Sequence, residues 1–244
     1  MSNKDIELYL PAGVATSPLF MERLRQALHS GLETAIGSVR SSLLFPYGDR
    51  ERSLLGQLRE VGRDIRLKDG WLDGSLGGNR LLAMIDDKRR TESGASRPRT
   101  IIVGHSAGGV AAVHAARLLH VREGGSPPLV VMVGSPRCRI PEELRDTVLY
   151  VYAARTSSPG ARWMTVRLSD PITRLGSFGG WQIGRWRLPS WRMDKHAPAH
   201  ASGLRIIGGH ADYFRDQPPF VNALGLSNLT LTVDVVMRWL RERL

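Results

Sequence analysis

Short apolar runs, several of them rich in β-branched residues, alternate along this chain with segments whose apolar residues recur every three or four positions. The short runs predict strands at residues 6–10, 42–45, 100–103, 129–133, 148–152 and 204–207. The recurring pattern predicts helices that begin near residue 17 and then cover about 54–61, 79–90, 107–119 and 229–244. This alternation indicates an α/β fold with a mostly parallel sheet and helices on both faces.

The same pattern shows no break that would separate two domains. We therefore expect a single domain over residues 1–244, without repeats of solenoid length. Two stretches depart from the alternation. The glycine-rich residues 66–78 predict a loop, and residues 171–203 predict an irregular insertion that is rich in tryptophan and arginine.

Composition narrows the class of protein. Hydrophobic residues make up 42% and charged residues 23% of the 244 residues, as in ordinary globular proteins. The single cysteine, Cys138, excludes a disulfide scaffold. The chain has neither a run of about 18 apolar residues nor the pattern of a signal peptide at its start. We expect a cytoplasmic protein, with peripheral attachment to a membrane surface as an alternative.

The formal net charge of +11 favours anionic partners. Nucleic acid, an anionic lipid surface and acidic substrates all fit this charge, and a generally basic proteome explains it equally well. No known nucleic-acid-binding motif accompanies the charge, so nucleic acid ranks last among these partners.

A G-x-S-x-G motif follows one of the predicted strands. Gly104-His105-Ser106-Ala107-Gly108 lies between the strand at 100–103 and a helix of small residues. A nucleophilic serine needs a sharp turn of this kind, in which glycines two positions away on either side prevent side-chain collisions. The alternative is a plain strand–turn–helix connection with a capping serine.

The motif also carries a resemblance to a known family. The run from Val103 to Gly109 resembles the nucleophile elbow of α/β-hydrolase lipases and esterases, and Gly134-Ser135-Pro136-Arg137 is similar to a segment of fungal-type triacylglycerol lipases. The resemblance implies a compact α/β-hydrolase fold with a Ser–His–acid triad. Because the sequence opens near the family's third strand, we expect the first two strands of the family to be missing.

In this family the triad follows the order serine, acid, histidine. His210 comes directly after the last predicted strand and two glycines, so we expect it to be the general base for Ser106. Asp170 is the predicted acid, although Asp-Pro is also a common turn. Asp212 is the second candidate for the acid and Asp194 a weaker one.

Backbone groups complete the predicted site. The N–H of Ala107 and that of Gly13 or Val14 are expected to form an oxyanion hole. The insertion at about 171–203 carries three of the six tryptophans, which are Trp181, Trp186 and Trp191. These residues predict either a lid that contacts substrate or lipid, or an aromatic cluster that closes a long loop.

The predicted function is hydrolysis of a small-molecule carboxylic ester or thioester through an acyl-enzyme on Ser106. This chemistry needs no cofactor, and we expect no metal site because the pair His196 and His200 lacks a third ligand. Two alternatives remain open. The same site could serve an acyltransferase, or the fold could be a non-catalytic scaffold that binds an anionic surface.

Overall fold

The structure, a computed structural model, describes residues 5–48, 51–91, 98–154, 170–183 and 188–244, apart from the side chain of residue 69. Its strands are β1 (Ile6–Pro11), β2 (Val39–Leu44), β3 (Arg99–His105), β4 (Leu129–Val133), β5 (Val148–Ala153), β6 (Gly180–Ile183), β7 (Pro189–Arg192) and β8 (His200–Leu204). The α-helices are α1 (Glu22–Ile36), α2 (Leu54–Ile65), α3 (Leu76–Thr91), α4 (Ala107–Glu123) and α5 (Asn228–Arg241). Short 3₁₀ helices cover Asp69–Gly74, Glu142–Thr147, Ile172–Arg174 and His210–Asp212.

Six of these strands form one sheet in the order β2-β1-β3-β4-β5-β8, and all of them run parallel. Strands β6 and β7 form an antiparallel hairpin and pair with no other strand among the described residues. The prediction of an α/β architecture with a parallel sheet is thus confirmed. None of the helices in the described ranges is long and apolar enough to span a bilayer.

Alternating strand residues supply two separate cores, because successive side chains of a strand point to opposite faces of the sheet. On one face, Leu8 and the residues of the other strands that point to the same side pack against the apolar stripes of α1 and α5. On the other face, Ile102 and the strand residues that point to that side pack against α2, α3 and the small residues of α4. The sheet is therefore covered on both sides, which explains the continuous apolar runs of its central strands.

The last strand of the sheet lies earlier than the sequence predicts. The apolar run 204–207 predicts it, whereas β8 covers His200–Leu204 and pairs with β5. The backbone of Ile207 instead bonds to the side-chain amide of Asn228, which accepts from Ile207 N at 2.9 Å and donates to its carbonyl at 2.7 Å. The backbone of Ile207 is therefore held by a tertiary contact and does not extend the strand.

Two regions predicted to be irregular contain regular structure. The glycine-rich segment 66–78 holds the 3₁₀ helix Asp69–Gly74 and the first turn of α3. Buried Asp64 accepts hydrogen bonds from Leu76 N at 3.0 Å and Gly77 N at 2.7 Å, so α3 begins three residues before the predicted helix. The insertion at 171–203 holds the β6–β7 hairpin and contributes β8 to the sheet.

Helix α4 packs so closely against the sheet that there is no room for a side chain at the glycines of this turn. A Cβ added at Gly108 would lie 2.0 Å from the carbonyl oxygen of Pro11. A Cβ at Gly104 would lie 2.5 Å from the backbone of Gly108, and one at Gly109 would lie 2.1 Å from Ser135 Oγ. The glycines of the motif are therefore required by the contact between backbones at this turn.

We predict that Gly108→Ala destabilises the protein by about 1–3 kcal/mol, because the methyl group meets backbone that cannot move alone. Gly62→Ala on α2 is the matched control, since a Cβ there meets nothing within 4 Å. That change should stabilise the helix by about 0.5–1 kcal/mol. Urea unfolding of both variants measures the difference, and equal effects would contradict the packing described here.

Candidate active site

Ser106 occupies the single residue between β3 and α4. Its backbone has φ 55° and ψ −131°, a left-handed conformation that is uncommon for any residue other than glycine. The turn is fixed by a hydrogen bond from Ser106 N to the carbonyl of Val133 at 3.0 Å. Conformations of this kind persist only where the surrounding structure imposes them, and they concentrate at functional sites.

The turn lies where the strand order of the sheet reverses. Strand β1 has β2 on one side and β3 on the other, so the connections that leave β1 and β3 diverge. In open parallel sheets, such a reversal opens a crevice at the carboxyl ends of the strands. Gly13, just after β1, faces Ser106 across this crevice. A Cβ at Gly13 would lie 2.7 Å from Ser106 Cβ and 3.1 Å from its Oγ.

Several backbone N–H groups belong to residues close to Ser106. Within the described residues, the N–H groups of Gly13, Val14 and Ala107 donate to no acceptor, while the neighbouring Ala15 N–H donates to the side chain of Gln57 at 3.0 Å. Ala107 is the first residue of α4, where N–H groups have no partner inside the helix. These three donors are the ones that the sequence predicts for an oxyanion hole.

His210 and Asp170 form the second part of the site. His210 Nδ1 lies 2.9 Å from Asp170 Oδ2, and the carboxylate is fully buried while His210 is partly exposed. Since the carboxylate accepts this hydrogen bond, Nδ1 carries the proton and the neutral ring keeps Nε2 as its proton acceptor. The pair predicted from chain order is therefore in direct contact.

The buried carboxylate of Asp170 has three donors. Besides His210, the N–H of Ile172 donates to Oδ1 at 2.9 Å and the hydroxyl of Tyr213 donates to Oδ2 at 3.0 Å. Burial and then the charge of Asp170 raise the pKa of Tyr213, so this hydroxyl stays protonated. The same hydroxyl oxygen accepts a hydrogen bond from Ala153 N at 2.8 Å, so Tyr213 connects Asp170 to the end of β5. Sequence reasoning did not identify Tyr213.

His105 is a second residue that sequence reasoning missed. Its ring stacks on the ring of His210 with 4.8 Å between centroids, and its Nε2 donates to the carbonyl of His210 at 3.2 Å. Burial, followed by the charge of nearby His210, lowers the pKa of His105 to about 3, so it is neutral at pH 7. His105 thus contacts both the ring and the backbone of His210, and no sequence pattern indicates this contact.

Ser106 is connected to His210 through its chain neighbour His105, whose ring stacks on that of His210. Within the described residues, the Ser106 hydroxyl donates no hydrogen bond to His210. The two other residues considered as the triad acid have different partners. Asp212 accepts from Gly209 N at 2.8 Å, and Asp194 pairs with Arg192. Unliganded sites often hold the serine–histidine contact loosely until substrate binds.

The predicted tryptophan lid is described only in part. Trp181 and Trp191 face each other across the β6–β7 hairpin with 5.7 Å between ring centroids, and they are 64% and 48% exposed. No hydrogen bond or ring contact among the described residues links them to Ser106 or His210. Trp186 lies outside the described residues. The two visible tryptophans therefore form an exposed aromatic pair on the hairpin.

A cleft of about 310 Å³ lies beside the chain segment that follows His210. Phe20, Phe214 and Phe220 supply its apolar walls, and Ala211, which follows His210, lies at its edge. The rings of Phe20 and Phe214 each lie 5.1 Å from that of His105. Its volume is at the lower end of the range for small-molecule sites.

His196 and His200, the pair considered as metal ligands, each have hydrogen-bond partners within the protein. His200 accepts a hydrogen bond from Arg243 at 3.0 Å, and His196 bonds through its backbone to the carbonyl of Phe178. In the ranges given above, no three side chains of histidine, cysteine, aspartate or glutamate are placed to hold a metal ion.

Comparison with known proteins adds no identification to this geometry. No family model matches the sequence, and no curated protein matches it. The class of this protein therefore rests on its fold, an α/β architecture with a six-stranded parallel sheet, and on the site itself.

Proposed function

We propose that this chain is a serine hydrolase of the α/β-hydrolase fold that cleaves a carboxylic ester or thioester. The observation that carries the proposal is the left-handed turn at Ser106. It adjoins backbone N–H groups that have no acceptor among the described residues, and its neighbour His105 contacts the histidine of the His210–Asp170 pair. A serine that only caps a helix needs neither a left-handed conformation nor a histidine hydrogen-bonded to a buried carboxylate nearby.

The reaction follows from the roles that these groups can take. Ser106 Oγ attacks the acyl carbon, and Nε2 of His210 removes the hydroxyl proton. Asp170 stabilises the imidazolium that forms. The negative charge on the former carbonyl oxygen is stabilised by the N–H of Ala107 and that of Gly13 or Val14.

The tetrahedral intermediate then collapses. The bond to the leaving alcohol or thiol breaks, and His210 returns the proton to that group. Water attacks the acyl-enzyme with His210 again as base, which releases the acid and restores Ser106. The cleft beside Ala211 would hold an apolar part of the substrate, since Phe20 and Phe214 line it.

We predict that a fluorophosphonate labels Ser106, because the reagent reacts with activated serine nucleophiles. Peptide mapping by mass spectrometry locates the label, and Ser106→Ala should abolish it. Hydrolysis of aryl esters of increasing acyl length, with and without added alcohol acceptors, then distinguishes hydrolysis from acyl transfer. A folded protein that stays unlabelled, both with and without lipid, would contradict the proposal and favour a binding scaffold.

Asp170→Asn should slow labelling of Ser106 by about 10³–10⁴-fold, because an amide favours the wrong tautomer of His210. Asp212→Asn is the matched control, since its side-chain oxygen can still accept from Gly209 N–H and it does not touch His210. Circular dichroism checks that both variants fold. Equal loss in the two variants, or full activity in Asp170→Asn, would show that Asp170 does not orient the base.

A further inference from the structure

The outward side of α2 is unusual for a helix in a globular protein. Five residues of α2 and the residue that ends it lie on this side, three or four positions apart. We call them the α2 outer face: Leu55, Leu58, Arg59, Gly62, Arg63 and the C-cap residue Arg66. They line one shallow depression of about 640 Å³. Leu55 is 75% exposed and Leu58 is 49% exposed, whereas Val61 on the opposite side is buried in the core.

The charge of this face is entirely positive. In the part of the chain that the structure describes, Arg59, Arg63 and Arg66 form no ion pair. The two acids of α2 are engaged elsewhere. Glu60 pairs with arginines outside the face, and Asp64 is buried, where it accepts from the hydroxyl of Tyr47 at 2.8 Å. Hence nothing on the helix neutralises the three guanidinium groups.

We propose that the α2 outer face docks the protein onto an anionic phospholipid bilayer. Arginines attract acidic headgroups, and leucines beside them gain free energy by leaving water for the acyl boundary. An acidic protein would satisfy the arginines but would not require two largely exposed leucines in the same row. The charge complementarity and the apolar residues together therefore favour lipid over an acidic protein.

The position of α2 determines which edge of the protein would face the bilayer. Gln57, in the second turn of α2, accepts a hydrogen bond from Ala15 N at 3.0 Å. Ala15 lies two residues after Gly13, which faces Ser106. The first half of α2 is thus attached to the loop at the edge where the serine lies, and docking would bring this edge near the lipid. Only this consequence rests on the proposed function, because lipid binding itself needs no nucleophile.

The experiment is flotation of the full chain with vesicles of phosphatidylcholine alone or mixed with phosphatidylglycerol. We expect binding to the anionic vesicles only, weakened by salt. The triple variant Arg59→Gln, Arg63→Gln, Arg66→Gln should bind on the order of 100-fold less tightly, since each basic residue near an anionic surface contributes roughly a factor of five. Leu55→Gln with Leu58→Gln should weaken binding roughly tenfold or more.

A charge-matched control separates the face from the net charge. Arg205, Arg238 and Arg241 are also exposed and form no ion pair among the described residues. Two of them lie on α5, which packs on the opposite face of the sheet. Replacing all three with glutamine removes the same charge and should leave vesicle binding near that of the unmodified chain.

Three results would overturn the proposal. They are absence of binding to anionic vesicles, equal binding to neutral ones, and equal loss in the control variant. Binding to soluble polyglutamate without binding to vesicles would favour an acidic protein partner instead. Ser106→Ala should bind vesicles as the unmodified chain does, so a failure of fluorophosphonate labelling and a failure of lipid binding are distinguishable.

Discussion

The left-handed turn at Ser106 limits which residues can be accommodated next to it. A helix that starts one residue after a buried strand must fold back over that strand, and backbone then meets backbone at Gly104, Gly108 and Pro11. On the crevice side, Gly13 approaches the serine within a distance that leaves no room for a side chain. The close approach of the backbones at this turn therefore requires the glycines, and the turn itself is the one that the proposed function needs at its nucleophile.

The rest of the site converges on the edge of the sheet at Ser106 because the sheet is parallel. Residues that follow the carboxyl ends of β1, β3 and β8, together with Asp170, meet there, although they are far apart in sequence. The buried charge of Asp170 is compensated by its three donors, so the carboxylate is fixed in one orientation. His105 and Tyr213 extend this support to the histidine and to the end of β5.

The sheet and the turn could be predicted from local sequence, because β-branched runs, helical spacing and the glycines of the elbow are local signals. Chain order was enough to propose His210 and Asp170. The roles of His105 and Tyr213 were not predictable, since they arise from tertiary contacts without a local pattern. The same limit applies to α2, where apolar spacing predicts a helix but does not distinguish buried Val61 from exposed Leu58.

The central claim is that Ser106 and the nearby backbone donors form one reaction site. A crystal structure of the chain after reaction with a fluorophosphonate tests it most directly. We expect phosphorus bonded to Ser106 Oγ, with the phosphonyl oxygen about 2.7–3.1 Å from the N–H of Ala107 and from that of Gly13 or Val14. A phosphonyl oxygen that faces solvent, away from both donors, or an adduct on another residue, would contradict it.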